Sequence, residues 1–487
     1  MTHPERATRG VAAVVVVLAA ALLALAGRYG PHRDELYFVA AGRHLAWGYP
    51  DQPALTPLLA RLATSAAPHH LVVLRLSSVV AVCALVVMSA GFARLLGGDR
   101  RAQLLTAVLV AVSDITLLLG HLLSTATLDT VLWTAVLLVV ARALVEDRPR
   151  LWLLAGLVAG VGLNDKHSMA FLLLGTVVGV AAGRATRPVL RTAYPWLGGA
   201  LALLLWVPNL VWQARHGWPV LTLGGDIADE YGGLGGRLGF LGQALLVFSP
   251  GIAVLWVVGL VSLLRRPGWA RARPAAVAFL TVVVLFLVTG GKGYYVAGAV
   301  PPLIAAGSTA LVQRWQGRRV VVAGAVLALT AVVAWPAMLP LLPARTYAAS
   351  IYPDIDDNQV ETIAWPEYVD EVRQVLAALP VADRRTAVVF TANYGEAGAM
   401  QWYDVGRPVW SGHNGWGQWG PPPAAAAPVV VVGLDRPSGH FTGCRRAGTL
   451  HNREGADNEE EGAPVWVCDG PRGSWARQWP GLRHLDA

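Results

Sequence analysis

The sequence predicts a polytopic α-helical membrane protein that ends in a small extracytoplasmic α/β domain. Hydrophobic residues make up 55% of the 487 residues and charged residues only 14%, whereas a soluble chain usually carries about 25% charged residues. Apolar segments long enough to cross a bilayer recur along residues 1–343. No such segment follows, and residues 344–487 instead alternate short strand-like and helix-like stretches.

About eleven transmembrane helices are expected from the apolar segments. These segments cover residues 10–27, 71–97, 102–119, 126–145, 150–163, 168–183, 194–213, 239–264, 275–289, 295–312 and 319–342. Several are shorter than the ~20 residues of a typical spanning helix, so the count is approximate. The first segment has a basic start and ends in Ala24-Leu25-Ala26, which also resembles a cleaved signal peptide. We expect an uncleaved signal-anchor, which fits the loop charges equally well.

Arginines in the short loops predict the orientation in the membrane. Every second loop is basic, through Arg6 and Arg9; Arg94, Arg100 and Arg101; Arg142, Arg148 and Arg150; Arg184, Arg187 and Arg191; Arg265, Arg266, Arg271 and Arg273; and Arg314, Arg318 and Arg319. Because positively charged loops stay in the cytoplasm, the N-terminus is expected inside, and the first long loop and the C-terminal domain outside. The net charge of +8 therefore indicates topology rather than nucleic-acid binding.

The first outer loop, residues 28–70, contains two adjacent carboxylates, Asp34 and Glu35, just beyond the first apolar segment. Apolar residues at 36, 39, 40 and 45 predict an amphipathic helix lying on the membrane surface. A turn at residues 48–53 and a second helix at residues 55–63 are expected to follow. Carboxylates at the mouth of a membrane helix are natural candidates for general bases.

The C-terminal domain is expected to be a small α/β module. Strand-like runs cover residues 387–391, 428–433 and 464–468, and helices are predicted at residues 368–379 and 396–403. Cys444 and Cys468 both lie in this domain, where oxidising conditions permit a disulfide between them. The third cysteine, Cys83, lies in a predicted helix and is interpreted as a small core residue.

Lysine is rare in this chain, and its positions are informative. Only Lys166 and Lys292 occur among 39 lysine and arginine residues. Codon bias in a GC-rich genome would explain the rarity but not the placement, since both lie at predicted outer ends of helices. A lysine ammonium is a compact partner for phosphate. We therefore expect at least one of them to contact an anionic group at the outer surface.

Most carboxylates of the helical region also map to the outer face. They are Asp34, Glu35, Asp51, Asp129, Asp165, Asp226, Asp229 and Glu230. Asp114 lies within the third apolar segment, where an ionisable group indicates either function or a helix-packing hydrogen bond. Acidic, basic and phosphate-binding groups are thus expected in one outer cavity, with Trp47, Tyr49, Tyr294 and Tyr295 stacking on sugar or isoprenoid. This combination suits transfer of a group from a lipid phosphate to a hydroxyl.

Histidines near the same face offer possible metal ligands. They are His32, His44, His69, His70, His121, His167 and His216. A histidine paired with a carboxylate would bind zinc or another divalent ion. No pair has a ligand spacing that decides for or against such a site.

Ordered motifs resemble a known family. His32–Tyr37 followed by Trp47–Pro53, then Gly162–Ser168, Trp206–Trp212 with His216–Trp218, and Lys292–Tyr295 before Pro301 resemble bacterial membrane glycosyltransferases of the family 39 type. These are related to protein O-mannosyltransferases and to the lipid A aminoarabinose transferase, and they have the GT-C fold. In the outer domain the matching stretches are Asn393–Gly398, Ser411–Asn414 and Asn458–Glu460. The resemblance covers nearly the whole chain.

The resemblance implies an inverting transferase of the bacterial plasma membrane that uses a polyprenyl-phosphate-linked sugar. It assigns the general base to Asp34, with Glu35 beside it, and donor-phosphate binding to Lys166 and Lys292. We also expect Arg33 to bind the phosphate. The residues expected to contact substrate are Tyr37, Tyr49, Asp51, His167, His216, Tyr294 and Tyr295. Many relatives have a histidine where this chain has Gln52, so a metal or proton role at that position is in doubt.

Other interpretations are a transporter or flippase for lipid-linked sugar, and a non-catalytic surface protein. A transporter usually has substrate-coupling charges near the bilayer midplane between repeated halves, whereas these charges lie mainly at outer helix ends and no repeat is visible. A non-catalytic protein would leave the placement of lysines and carboxylates unexplained. Within the transferase hypothesis, Glu35 would position Asp34, contact the acceptor or pair with Arg33 or Arg43. The sugar and the acceptor, which would be a protein, glycan, lipid or metabolite, are not specified by the sequence.

Overall fold

The computed structural model describes residues 5–315 and 317–486. The chain divides into two compact units. The first unit takes in the chain up to Ala26 together with Gln52–Thr56 and Arg75–Trp335. The second takes in Gly27–Asp51, Pro57–Leu74 and the chain from Pro336 onward. The predicted boundary at 343/344 assigns the first outer loop to the helical domain, whereas most of that loop packs with the C-terminal residues.

Helices dominate both units. Up to the end of the apolar region they are α1 Thr8–Leu25, α2 Arg33–Arg43, α3 Leu55–Ala66, α4 Leu71–Leu95, α5 Arg100–Val112, α6 Asp114–His121, α7 Thr125–Val145, α8 Leu151–Leu163, α9 Met169–Ala182, α10 Ala193–Arg215, α11 Pro219–Tyr231, α12 Leu234–Leu246, α13 Pro250–Arg265, α14 Pro274–Thr289, α15 Pro301–Arg314, α16 Arg318–Val332 and α17 Trp335–Met338. They continue with α18 Ala344–Ala348, α19 Tyr352–Ile355, α20 Trp365–Ala377, α21 Val381–Arg384, α22 Tyr394–Trp402, α23 Asn414–Gln418 and α24 Trp475–Leu482.

The chain is a multi-pass membrane protein. Helices α1, α4, α7 and α10 are each long and apolar enough to cross a bilayer. Three bent pairs pass the same test when each is taken as one span: α5 with α6 at 58°, α12 with α13 at 89°, and the 3-10 helix Gly293–Ala299 with α15 at 58°. Each of the eleven predicted segments contains a helix or a bent pair, but α8, α9 and α14 are shorter apolar helices. Eleven complete spans therefore stays a prediction.

The third apolar segment is broken rather than continuous. Its first half ends at Val112, Ser113 adopts an extended conformation, and a new helix begins at Asp114. Asp114 thus occupies the first turn of a helix, where a carboxylate interacts favourably with the helix dipole. The backbone N–H of Asp114 also donates to the Ser249 hydroxyl at 3.3 Å. We expected Asp114 inside one apolar segment, and the structure places it at the start of a separate helix.

Small residues allow close packing of helices in the first unit. Gly156 of α8 and Gly198 of α10 face each other so closely that a Cβ on either would collide with the backbone of the other helix. Glycine at such crossings is typical of helix association in membranes, where van der Waals contact replaces the hydrophobic effect.

Helix α2 is buried within the second unit. All eight residues from Glu35 to Gly42 are buried, so the expectation of an amphipathic helix on the membrane surface is wrong. One side of α2 packs against α22, where Gly398 sits over Leu36. A helix that is covered on all sides needs apolar residues all round, and Leu36, Phe38 and Val39 supply them.

A mixed sheet forms the centre of the C-terminal residues. The strands are β1 Val388–Thr391, β2 Val409–Ser411, β3 Val429–Val432, β4 Phe441–Thr442, β5 Arg445–Thr449, β6 Pro464–Cys468 and β7 Gly470–Pro471. The five-stranded sheet has the order β2-β1-β3-β6-β5, and β4 pairs with β7 separately. The predicted strands at residues 387–391, 428–433 and 464–468 correspond to β1, β3 and β6.

The strands of this sheet run in both directions, and side chains from β1 and β3 pack in an apolar core. β1 runs parallel to β2 and to β3, and β6 runs antiparallel to β3 and β5. Alternate residues such as Phe390 and Val431 pack with Phe441, Trp475 and Trp479 in an apolar core. A disulfide joins the predicted pair, Cys444 and Cys468, at the end of β6.

We predict that Gly398→Ala destabilises the second unit. An added Cβ would lie 2.6 Å from the Cβ of Leu36 and 3.0 Å from its backbone carbonyl carbon, so α2 and α22 would have to separate. Overpacking of this kind typically costs about 1–3 kcal/mol. The midpoint of thermal unfolding, followed by fluorescence in detergent, should fall.

Gly439→Ala is the matched control, because nothing lies within 4 Å of a Cβ at that position. An unchanged unfolding midpoint in Gly398→Ala would contradict the close contact between α2 and α22.

Candidate active site

The first turn of α2 is fixed by a reciprocal cap. The His32 ring nitrogen Nδ1 accepts a hydrogen bond from the backbone N–H of Asp34 at 3.2 Å. In return, the Glu35 carboxylate accepts from the backbone N–H of His32 at 2.9 Å. Such capping boxes satisfy N–H groups that have no partner inside the helix. Because Glu35 is fully buried, its carboxylate holds the helix start, and thereby Asp34, in place.

The Asp34 carboxylate has one oxygen bound within the protein and a side chain that stays accessible. The Tyr394 hydroxyl, from the first residue of α22, donates to Asp34 Oδ1 at 2.9 Å. The side chain of Asp34 is 39% exposed. A carboxylate that is oriented by a hydrogen bond and still open to solvent can accept a proton from an incoming group.

A second carboxylate, Asp51, lies in the same network and accepts hydrogen bonds on both of its oxygens. The Tyr37 hydroxyl donates to Asp51 Oδ1 at 2.9 Å, and the Asn414 side-chain amide donates to Oδ2 at 3.3 Å. Burial raises the pKa of Asp51 from its ordinary value to about 7. The rings of Tyr37 and Tyr394 stack at 4.8 Å, so the aromatic pair joins Asp34 to Asp51.

Parallel strands bring the C-terminal partners of both carboxylates together. Strands β1 and β2 are neighbours and run in the same direction, so their carboxyl ends lie at one edge of the sheet. Tyr394 follows the last residue of β1 by three positions, and Asn414 follows the last residue of β2 by three. The backbone N–H of Gly415 then donates to the Tyr37 hydroxyl at 3.1 Å.

Carboxylates surround the Arg33 guanidinium. Arg33 pairs with Glu459 and lies 5.1 Å over the Tyr394 ring. Oxygens of Glu361, Glu459 and Glu460 lie within 4.8 Å of one another, the one such three-ligand group among the described residues. Burial raises the pKa of Glu361 to about 7 and that of Glu460 to about 8.

The acidic group around Arg33 changes two expectations. It contains none of the histidines considered as metal ligands, and its negative charge is partly balanced by Arg33 itself. Arg33, which we expected to bind donor phosphate, is instead engaged with carboxylates of the C-terminal residues.

The first unit contains a separate cluster around Lys166. The Lys166 ammonium lies 4.4 Å from the Tyr295 ring centroid and 5.1 Å from that of Tyr294, which is cation–π geometry. Beside it, the hydroxyls of Thr56 and Ser168 donate to the carboxylates of Asp165 and Asp129 at 2.7 and 2.9 Å, respectively. Each carboxylate retains one buried oxygen without a hydrogen-bond partner among the described residues.

An apolar cavity of about 350 Å³ lies between α7, α8, α9 and α10 in the first unit. Its wall includes Trp152, Leu163 and Trp206. The Trp206 ring lies 6.1 Å from that of His167, whose Nε2 is 3.1 Å from Asn209 Oδ1. The cavity therefore begins close to the residue that follows Lys166.

Residues 51–212 match the family described as dolichyl-phosphate-mannose-protein mannosyltransferase. The crystal structure of ArnT from Cupriavidus metallidurans bound to undecaprenyl phosphate superposes with a TM-score of 0.60 at 13% identity, over 94% of this chain and 97% of that one. The apo structure of the same protein gives 0.61 at 12% identity, with the same coverage. This chain has the GT-C type fold.

The GT-C resemblance noted in the sequence is thereby confirmed. The arabinofuranosyltransferase AftD from Mycobacteria gives a TM-score of 0.51 at 16% identity, over 96% of this chain and 42% of that one. Comparison with curated proteins gives no match.

Several predicted site residues of this GT-C chain have internal partners. Tyr49 is 1% exposed, and its hydroxyl donates to the Ala41 carbonyl at 2.9 Å, so it fixes the turn after α2 rather than facing a substrate. His216 stacks on Trp212 and contacts its carbonyl at the end of α10. Lys292 lies 5.7 Å from the Tyr231 ring.

Gln52, the residue at which this chain departs from many relatives, has an unusual environment. It is 4% exposed, and neither its amide nitrogen nor its amide oxygen has a hydrogen-bond partner among the described residues. Burying a polar group without a partner is costly, so this amide is available to a polar ligand.

Tyr394 and Asn414 are the site residues that sequence reasoning did not assign. Both lie in stretches that carried the family resemblance, Asn393–Gly398 and Ser411–Asn414, but neither residue was given a role. Tyr394 donates a hydrogen bond to Asp34, and Asn414 donates one to Asp51. The two pairs are separated by 360 and 363 residues in the sequence. The strand before Tyr394 was predicted at residues 387–391, whereas β2, the strand before Asn414, was not, so position after a strand gave a signal for Tyr394 alone.

We predict that Glu460→Gln makes the protein more stable than wild type at alkaline pH. The pKa of Glu460 rises from its ordinary value of 4.5 to about 8 because burial disfavours the charged form. The stability that the bound proton provides is fully present below pH 4.5 and is lost as the pH rises through 8. Glutamine mimics the protonated acid at every pH. The difference in unfolding temperature between variant and wild type should therefore grow from pH 6 to pH 9.

Asp457→Asn, at an exposed neighbouring position, is the control and should show no such growth. A constant difference between Glu460→Gln and wild type across this range would contradict the raised pKa.

Proposed function

We propose that this GT-C chain is an inverting glycosyltransferase. It moves a sugar from a polyprenyl-phosphate donor to an acceptor hydroxyl on the outer face of the membrane. The observation that carries the proposal is the accessible Asp34 carboxylate, held at 2.9 Å by the Tyr394 hydroxyl. The family match over residues 51–212 and the likeness to ArnT support the donor class.

Asp34 suits the role of general base better than its neighbours. Glu35 is fully buried in the helix cap, and both oxygens of Asp51 accept hydrogen bonds from Tyr37 and Asn414. Burial shields Glu35 from an incoming hydroxyl, and Asp51 already accepts one hydrogen bond on each of its oxygens. Asp34 has its second oxygen in an exposed side chain, so it can take a proton while Tyr394 keeps it oriented.

The reaction then follows a single displacement. The acceptor oxygen attacks the anomeric carbon and loses its proton to Asp34, while the bond between that carbon and the phosphate oxygen breaks. The bonding electrons leave with the polyprenyl phosphate, and the anomeric configuration inverts. A general base in such a step typically contributes about 10²–10⁴-fold in rate.

Lys166 and Lys292 are proposed to hold the donor phosphate. Both ammonium groups lie against tyrosine rings, at 4.4 Å from Tyr295 and 5.7 Å from Tyr231, and Lys166 also interacts electrostatically with Asp129 and Asp165. Tyr294, Tyr295 and His167 would contact the sugar or the first isoprene units. The apolar cavity beside Trp206 has the lining that an isoprenoid chain requires.

The residues and the charge pattern also support a location for the reaction. The positions of the positively charged loops predict that the first outer loop is extracytoplasmic. The disulfide between Cys444 and Cys468 is compatible with an oxidising compartment. We therefore propose that the acceptor is presented outside the cell membrane. Tyr37 and Asp51 are proposed to shape the acceptor side of the site.

A transporter or flippase for lipid-linked sugar is the second candidate. The observation that favours it is the three helix pairs bent by 58°, 89° and 58°, because discontinuous helices commonly form transport sites. Movement of a lipid-linked sugar across vesicles of purified protein, without formation of a glycosylated product, would establish this function instead.

We predict that Asp34→Asn folds normally but loses sugar transfer by about 10²–10⁴-fold. Tyr394→Phe should lose about ten-fold, the usual effect of removing a hydrogen bond to a charged group, with little change in KM. The assay uses membrane vesicles, a panel of radiolabelled polyprenyl-phosphate sugars and chromatography of the labelled product.

Tyr352→Phe is the control for the hydroxyl deletion, since the Tyr352 hydroxyl forms no hydrogen bond with any residue that the structure describes. Wild-type turnover by Asp34→Asn would overturn the assignment of the base.

We also predict that Lys166→Met raises KM for the lipid-linked donor by about ten- to a hundred-fold, because a charge-assisted bond to phosphate is lost. Lys166→Arg should restore part of the affinity. Arg150→Met, at an exposed position, serves as the control. An unchanged donor KM in Lys166→Met would show that the ammonium does not bind the phosphate.

A further inference from the structure

A second cavity, of about 120 Å³, lies in the second unit between α2, α3 and α22. Its wall is formed by Val39, Arg43, Arg61, Thr64, Ser65, Pro68, His69 and Trp402. None of these residues belongs to the carboxylate network of Asp34 and Asp51. The cavity is large enough for about four waters, at ~30 Å³ of liquid volume each, which is also the size range of a phosphate group.

The polar side chains in the wall of this cavity favour an anion over a cation. Arg43 and Arg61 carry positive charge, and Ser65, His69 and Trp402 can each donate a hydrogen bond. The Thr64 hydroxyl instead donates to the Ala60 carbonyl at 2.8 Å. No carboxylate lines the cavity. Charged and neutral donors without an opposing acid form an anion site, and arginine in particular matches the oxygens of phosphate.

Contacts within the fold place these donors. The Arg43 guanidinium donates to the Gln401 side-chain oxygen at 3.1 Å, which holds it beside α22. His69 has a left-handed backbone with φ of 58°, and its ring lies 5.0 Å from that of Trp402. A non-glycine residue in this conformation is uncommon, and such residues cluster at ligand sites.

Apolar surroundings point to a membrane lipid as the source of the anion. On the same helix as Arg61, Leu58 and Leu62 are 40% and 58% exposed. The spanning helix α4 begins at Leu71, two residues after His69. Residues immediately before a spanning helix lie at the depth of lipid headgroups, where arginine and tryptophan are favoured.

We propose that this cavity binds the phosphate of a membrane lipid headgroup. The site is distinct from the lysines proposed for the sugar donor, and the proposal does not depend on the transfer reaction. The phosphate oxygens accept hydrogen bonds from Arg43, Arg61 and His69, while the acyl chains lie along the exposed leucines of α3.

Calorimetry on the full-length protein in a non-ionic, phosphate-free detergent tests this site. Three probes test separately whether phosphate is recognised and whether it must belong to a lipid. They are dihexanoyl phosphatidylglycerol, dihexanoyl glycerol without the phosphate, and inorganic phosphate. The lipid with phosphate should bind at least ten-fold more tightly than either of the others. Arg61→Gln and His69→Gln should each weaken its binding about ten-fold.

Arg453→Gln removes the same charge from an exposed position of the same unit and should bind like wild type. Arg61 is also exposed, so the unfolding temperature of Arg61→Gln should not fall. Unchanged binding in both Arg61→Gln and His69→Gln would overturn the site. Inorganic phosphate binding as tightly as the lipid would overturn the membrane source, and dihexanoyl glycerol doing so would overturn recognition of phosphate.

Discussion

The burial of α2 is the constraint on which the rest of the second unit depends. This helix carries Arg33, Asp34 and Glu35 in its first turn, yet every residue from Glu35 to Gly42 is covered. Buried charges are tolerated only when they are paired and hydrogen-bonded. The unit therefore supplies the cap at His32 for the buried Glu35 and Glu459 for the largely buried Arg33, while the accessible Asp34 accepts from the Tyr394 hydroxyl. The candidate site is thus inseparable from the packing of α2 against α22.

Carboxylates outnumber cations around this helix, and the excess has an electrostatic consequence. Burial raises the pKa of Glu361 and Glu396 to about 7 and that of Glu460 to about 8, whereas Arg33 is the cation that faces them. Near neutral pH these groups share protons rather than all being ionised. The pairing of Arg33 with acids engages its charge within the second unit, and binding of donor phosphate by Arg33 stays a prediction.

Sequence patterns predicted the periodic parts of this structure and missed the contacts between distant segments. Long apolar runs marked the helices, and the short valine-rich run of β3 marked a strand, because these signals are local. The break at Ser113 and the burial of α2 depend on tertiary packing, which a local pattern does not record. Asp34 was identifiable as a candidate base from its motif. Its partner Tyr394 was not, because 360 positions separate them and only the packing of α22 against α2 brings them together.

The choice between Asp34 and Asp51 shows why geometry has to be weighed before pKa. A pKa of about 7 would by itself favour Asp51 as a base, since an ideal base titrates near the working pH. That pKa arises from burial of a carboxyl group whose two oxygens accept from Tyr37 and Asn414. The Asp34 carboxylate accepts a hydrogen bond from Tyr394, and its side chain is 39% exposed. Asp51 is better placed to fix the aromatic pair, and Asp34, with its exposed side chain, to accept the proton.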